Sequence, residues 1–225
     1  VQADNIDGID ARILEALGRK TGFAVNYVIC PWRRCVEMIK TGDVDLITSF
    51  GKTEPRMQFA RYLGGTYYRE QLKFFRLAKN PYRIERYEDL YEKKIGIIKG
   101  SVYFERFDTD GKLKKIEVVK EEQLVKMLLT GRIDLLVGYT MPIRYAMEKA
   151  GAGFKIVPVS LAVPGVGSHL AMSKRSSYIG RAPMISRAVN DMIKKGEMTR
   201  LADQFFTSVR KKKTLSEKAA GHEAD

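Results

Sequence analysis

One stretch of this chain is written twice. Val36-Glu-Met38-Ile-Lys-Thr41-Gly42-Asp-Val-Asp45-Leu46-Ile47 returns as Val125-Lys-Met127-Leu-Leu-Thr130-Gly131-Arg-Ile-Asp134-Leu135-Leu136, at a constant offset of 89 residues. Each copy reads as an amphipathic helix stopped by Thr-Gly, a tight turn, and a buried strand. A single copy would be an ordinary helix–strand connection. Two copies in register imply two lobes of related topology, each with its own sheet.

The surrounding pattern fits that plan. Ile9, Ile13, Leu14 and Leu17 recur at helical spacing between Gly8 and Lys20, and Thr21-Gly22 ends the run. Alternation over Ala24–Ile29 predicts a strand, followed by a helix over Arg34–Lys40 and a strand over Val44–Thr48. This alternation of strands and helices predicts sheets with mostly parallel strands. Leu72–Ala78 reads as the strand that joins the lobes; further strands are expected at Lys94–Ile98, Ile116–Val119, Phe154–Val159 and His169–Ser173. Helices are expected through Arg106, over Met141–Ala150, Pro183–Lys195 and Met198–Phe206. The expected division is residues 1–78 plus 168–209 as lobe 1, residues 79–167 as an inserted lobe 2, and a polar tail over 210–225.

The 225 residues are 44% hydrophobic and 10% aromatic, enough to bury two cores and too apolar for a disordered chain. The sequence shows no apolar run long enough to cross a bilayer and no signal peptide. There are 40 Lys+Arg against 27 Asp+Glu, a net charge of +13. The tail from Arg210 contributes five cations and three anions, so the folded body keeps +11 (13 − 2), scattered rather than striped. That favours a solvated basic surface over a nucleic-acid site.

Cys30 and Cys35 bracket Cys-Pro-Trp-Arg-Arg-Cys, which is not a Cys-x-x-Cys spacing. Two readings stand for them: unrelated buried thiols, or a local disulfide. With His169 and His222 as the only histidines, no metal cluster is expected.

Ligands of open α/β sheets bind beyond the carboxyl ends of the strands. That rule selects Thr48-Ser49-Phe50-Gly51 after the first repeat strand and Gly138-Tyr139-Thr140 after the second. Gly100-Ser101, read as standing between a strand and a helix start, would offer backbone N–H groups to an anion, although Gly-Ser there is also a common helix cap.

Several motifs, taken together and in order, resemble the family-3 extracellular solute-binding proteins. They are Gly8-Ile-Asp10, Pro31-Trp32, Gly42–Ile47, Lys52-Thr53-Glu54-Pro55-Arg56, Tyr67-Tyr68 and Lys93–Ser101. The resemblance runs to about Phe206. It implies an α/β chain of two-lobe periplasmic-binding-protein-like (type II) architecture, with a ligand cleft between the lobes. It also implies a monomeric, exported, periplasmic receptor without cofactor, which hands an anionic or zwitterionic small molecule to a membrane ABC permease. Export tips the two cysteines toward the disulfide.

By the same resemblance Arg56 grips a ligand carboxylate, a task that needs a planar, permanently charged fork. Trp32 packs on the ligand or anchors the following helix. Ser49, Phe50, Gly51 and Ser101 line the cleft. Two positions depart from the family. Val102 stands where Thr or Ser is usual, and Tyr139 stands where an aspartate would hold a ligand ammonium. A tyrosine does not neutralise an ammonium at neutral pH. The chain is therefore expected either to decline ordinary α-amino acids or to find its acid elsewhere. Family members also begin with a strand before the first helix. Here only Val1–Asp7 precede it, so that strand is expected to be missing.

Asp45 and Asp134, at strand starts, are read as turn-stabilising, and His169 as a structural histidine. Two other functions are compatible with the same fold: the sensor domain of a signalling receptor, and a cyclohexadienyl-dehydratase-like enzyme. The second needs a general acid, and Glu54 and Glu105 are the nearest candidates, each without a partner base.

Overall fold

The computed structural model describes residues 6–205, 207 and 208. The polar tail expected from Arg210 and the end of the last expected helix lie outside them.

The two repeat copies fold as read. In the first, α2 (Trp32–Thr41) leads to β1 (Leu46–Ile47); in the second, α5 (Glu121–Leu129) leads to β6 (Leu135–Tyr139). Each helix ends where its threonine hydroxyl turns back to a carbonyl four residues earlier, Thr41 to Glu37 and Thr130 to Lys126. Each chain then reverses through a left-handed glycine, Gly42 at φ 90° and Gly131 at φ 71°. The carboxylates at the strand starts, expected to stabilise these turns, instead bond to segments distant in sequence. Asp45 accepts from the Ser176 hydroxyl at 2.6 Å and Asp134 from the Lys94 amide at 2.8 Å.

The copies lie in different sheets. One sheet has three strands in the order β1–β8–β2, with β8 (Val166–Ser173) between β1 and β2 (Ala60–Glu70). The other has five, β5–β4–β6–β3–β7, where β3 is Leu72–Leu77, β4 Lys94–Ile98, β5 Lys114–Val118 and β7 Ile156–Pro158. The expectation of mostly parallel strands fails in the small sheet, where all pairs are antiparallel; in the large one β5, β4, β6 and β7 run the same way and β3 alone is reversed, between β6 and β7.

The central strands β6 and β8 are packed on both faces. In β8, Leu170 and Met172 face α1 (Ile9–Thr21) and α7 (Ala182–Lys194), while Ala171 packs with Ile39 of α2 and Phe50. In β6, Leu136 meets α5 and α6 (Thr140–Lys149), while Leu135 and Val137 meet Phe107 and Leu113. A final helix covers 197–205.

Three expectations change. Ala24–Ile29 alternates in exposure but forms only an isolated bridge at Val28, since no strand among the described residues runs beside it. The long strand β2 was not read from the sequence: Gly64-Gly65 interrupts its alternation, and its register with β8 shifts between Leu63 and Tyr68. The Leu72 strand pairs with β6 and β7, so by sheet membership it belongs with the five-stranded sheet and the chain crosses at Glu70–Leu72.

The interruption in β2 has a packing cause. Gly64 adopts φ 71°, and a Cβ there would stand 2.7 Å from Val189 Cγ1 and 3.0 Å from Asn190 Oδ1 on α7. Gly64→Ala is expected to destabilise the protein by about 1–3 kcal/mol, from overpacking and left-handed strain together. Urea denaturation would register this as a lowered midpoint with unchanged slope.

Candidate functional site

Arg56 is one of the few polar side chains buried in this protein, at 6% exposure. Local sequence places it. Thr53 caps the short helix α3 (Glu54–Phe59), accepting from the Arg56 amide at 3.4 Å, and Pro55 preforms the first turn. The guanidinium then lies over the Phe50 ring at 4.2 Å. Burial pulls its pKa down from the usual value, against the opposing pull of Tyr62, Tyr139 and Asp108.

The two guanidinium ends bond to loops from the two sheets. Nη1 donates to the Gly51 carbonyl at 2.9 Å, and Nη2 to the Gly100 carbonyl at 3.1 Å. Each carbonyl has a second donor: the Tyr62 hydroxyl at 2.9 Å for Gly51, and Trp32 Nε1 at 3.1 Å for Gly100. An arginine has five N–H donors. Two are used here, and three are left without an acceptor among the described residues. Arg56 is therefore both a tie between the sheets and a fork with spare donors.

Trp32 opens α2 and packs against cores on both sides of the cleft. Its start is pinned by a Cys30–Cys35 disulfide with Cα atoms 5.6 Å apart. Of the readings left open for the cysteines, the disulfide is the one present.

The other expected site residues mostly serve the protein itself. Phe50 is fully buried and lies beneath the arginine's guanidinium. Ser49 sits in the left-handed region at φ 51°; its amide donates to the Tyr67 hydroxyl at 2.7 Å and its hydroxyl to Asp10 Oδ2 at 2.8 Å. Tyr67 completes the triangle by donating to Asp10 Oδ1 at 3.0 Å. Gly51 offers its carbonyl to Arg56 and Tyr62, as above.

Ser101 does not stand at a helix start. The helix α4 begins at Glu105, and the Ser101 amide already donates to the Ile98 carbonyl at 3.1 Å. The strand instead runs into a loop, because Asp108 turns back to take the Tyr103 amide and holds 101–104 extended. Tyr139 donates to the Val102 carbonyl at 2.6 Å and stacks near Tyr103 at 6.3 Å. Burial, with Glu70 nearby, drives its hydroxyl pKa up, while Arg56 opposes, so it stays a neutral donor. Two departures from the family, Val102 and Tyr139, are thus bonded to each other.

His169 donates from Nδ1 to the Gly167 carbonyl at 3.0 Å, which leaves Nε2 to accept from the Thr66 hydroxyl at 2.9 Å. Both partners belong to its own sheet, and burial lowers its pKa. Glu54 and Glu105 are exposed. No group of three metal-ligating side chains occurs among the described residues.

Glu70 escaped the sequence reading. It ends β2 at the crossing, half-buried, and accepts from the Ser168 hydroxyl at 3.1 Å. The signal that could have found it is a carboxylate in an apolar strand within three residues of Tyr67-Tyr68. Beside the crossing a depression of about 420 Å³ is lined by Gln71, Leu72, Lys73 and 159–165 except Pro164. Another of about 500 Å³ lies along α1 at Glu15, Gly18 and Tyr27 and shares no residue with the surroundings of Arg56.

Comparison with known proteins agrees with this architecture. The arginine-binding extracellular protein ArtP of Bacillus subtilis (strain 168) is 23% identical over 216 residues, which cover 92% of this chain and 80% of that protein. Among solved structures, the substrate-binding protein of an amino acid ABC transporter superposes with a TM-score of 0.73 at 20% identity, over 91% of this chain and 90% of its own. A histidine kinase sensor domain similar to periplasmic binding proteins gives 0.76 at 16% identity, over 88% and 85%. The profile of one family matches residues 1–208, nearly the whole chain, and with the two sheets and the site between them this chain belongs to the bacterial extracellular solute-binding proteins, family 3.

Proposed function

We propose that this protein is an exported receptor that captures a small carboxylate-bearing solute, an amino acid or a relative of one, between its two lobes and delivers it to an ABC permease. The observation that carries the reading is Arg56: a buried, permanently charged fork at the meeting of two sheets, with three donors to spare. A ligand carboxylate bonded to an ionised donor makes stronger hydrogen bonds than the neutral Gly100 carbonyl does. Opening of the lobes frees Arg56 and Trp32 from Gly100; closure on the ligand restores the contact between lobes around it. The crossings at Glu70–Leu72 and 159–165 are the segments about which this motion turns. The arginine-binding relative and the amino-acid transporter protein make amino acids the first ligands to try.

Isothermal titration with the L-amino acids, dicarboxylates and short peptides tests the proposal. At least one carboxylate-bearing probe is expected to bind with 1:1 stoichiometry. Absence of binding across the panel would sink it. Similarity to the sensor domain supports a second reading, in which closure signals rather than delivers. Crosslinking of the loaded receptor to its membrane partner separates the two: a permease for the first, a kinase for the second.

A further inference from the structure

The cleft contains a carboxylate that the fold leaves uncompensated. Glu70 is half-buried at the end of β2, with a neutral hydroxyl, Ser168, as its side-chain donor. No Lys or Arg among the described residues comes within ion-pair distance of it. The groups that face it add negative charge or none. Asp10 on α1 acts on it through space, Tyr139 on β6 is a neutral phenol, and on β8 the His169 ring beside Ser168 is turned to Thr66 and Gly167. Such a carboxylate is costly unless a cation meets it.

Its place ties it to the Arg56 site. Tyr139 feels the charges of both Glu70 and Arg56, which push its phenol in opposite directions. Across the strands Glu70 pairs with Val166, and Val166 Cγ1 comes within 3.5 Å of where a Cβ on Gly51 would lie. The same Cβ would be 3.4 Å from Arg56 Nη1. A cation-seeking acid and an anion-seeking base are thus linked through Val166 and Gly51, and both act on Tyr139.

We infer that Glu70 binds the cationic group of the ligand, ammonium or guanidinium, in place of the acid that Tyr139 lacks, so that the receptor selects zwitterionic or cationic amino acids over simple carboxylates. The inference rests on the receptor reading above and deepens it. Burial raises the Glu70 pKa from 4.5 to about 7, against the Ser168 hydrogen bond and with a further push from Asp10. Because the folded value is raised, ionisation of Glu70 costs stability increasingly as pH rises from 4.5 through about 7. A bound cation offsets that cost and, below this pH, expels the proton. Affinity for an aminated ligand should therefore rise about tenfold from pH 6 to pH 8.

The test titrates wild type and Glu70→Gln with L-arginine, L-lysine, L-citrulline, L-glutamine and the desamino acid of each, from pH 6 to pH 8. Wild type is expected to prefer the aminated member of a pair, to release protons on binding near pH 6, and to show the tenfold rise. Glu70→Gln is expected to lose about tenfold or more in affinity for the probes that carry the bound cation, to lose the pH slope, and to leave the desamino acids of citrulline and glutamine, which carry no cation, unchanged. A loss confined to arginine and lysine assigns the side-chain cation; a loss shared with citrulline and glutamine assigns the α-ammonium. Glu70→Gln should melt at or above the wild-type temperature at pH 8, which shows that it folds. Aminated probes that bind Glu70→Gln with wild-type affinity and slope would overturn this inference alone. If none of the probes binds wild type, it falls; if other carboxylates still bind, the receptor reading stands.

Discussion

Arg56→Ala is expected to weaken the best ligand by about 100-fold or more while leaving the protein folded. Each hydrogen bond to a charged group contributes about 1.5–3 kcal/mol, and about 1.4 kcal/mol is a factor of ten in affinity; two such bonds to a carboxylate reach that loss. Removal of a buried arginine ordinarily strands its partners. Here it does not, because the Gly51 carbonyl keeps the Tyr62 hydroxyl and the Gly100 carbonyl keeps Trp32 Nε1. Loss of the guanidinium also removes a desolvated charge. The thermal midpoint should move little, so the defect appears in the titration. Arg56→Lys separates charge from shape: a lysine restores a point charge but not a planar fork, and should recover only part of the affinity. A ligand bound equally well by wild type and Arg56→Ala would show that its carboxylate goes elsewhere.

The second large effect concerns the floor of the site. Phe50 is fully buried, stacks on Tyr62 with centroids 5.8 Å apart, leans on Trp32 at 6.1 Å and Phe59 at 6.5 Å, and carries Arg56 on its face. Phe50→Ala is expected to cost about 3–5 kcal/mol, from lost transfer energy and the cavity left behind. That is a large share of a typical domain's stability of roughly 5–15 kcal/mol. Urea denaturation would show it directly. Phe50→Leu keeps most of the volume and should recover most of the stability. Binding should weaken even in the fraction that stays folded, since the guanidinium loses the surface that fixes its height. A Phe50→Ala protein within about 1 kcal/mol of wild type would mean that the aromatic cluster repacks and does not support the arginine.

The contrast between Phe50 and Arg56 shows how far sequence reading reaches in this site. Both were placed in the cleft by their position after a strand or in a recognisable run. The direction of each side chain was not in the sequence. Phe50 points into the core because its neighbours Trp32, Phe59 and Tyr62 converge on it from three elements. Ser49, at φ 51°, is turned toward Asp10, a residue on another helix. Ser101 was read at a helix start because strand–Gly–Ser usually leads into one; the bond from the Tyr103 amide to Asp108 delays the helix to Glu105. Strand β2 escaped because its glycines obey α7, which the sequence places more than a hundred residues away.

Local information did determine the periodic parts of this protein. The doubled helix–turn–strand unit, the threonine–glycine stops, the apolar runs of β3, β4 and β6, and the pair of lobes they imply are all set by contacts within a few residues or by a repeating pattern. The tertiary structure alone decided what depends on distant partners: antiparallel pairing in the small sheet, the side on which β3 falls, the closure of the disulfide, and the pairing of Arg56 with carbonyls of both lobes. It alone brought the charge of Glu70 to bear on Tyr139, from strands joined through different connections. Periodicity is a property of neighbours along the chain, whereas the charge balance of a cleft is a sum over groups that only folding brings together.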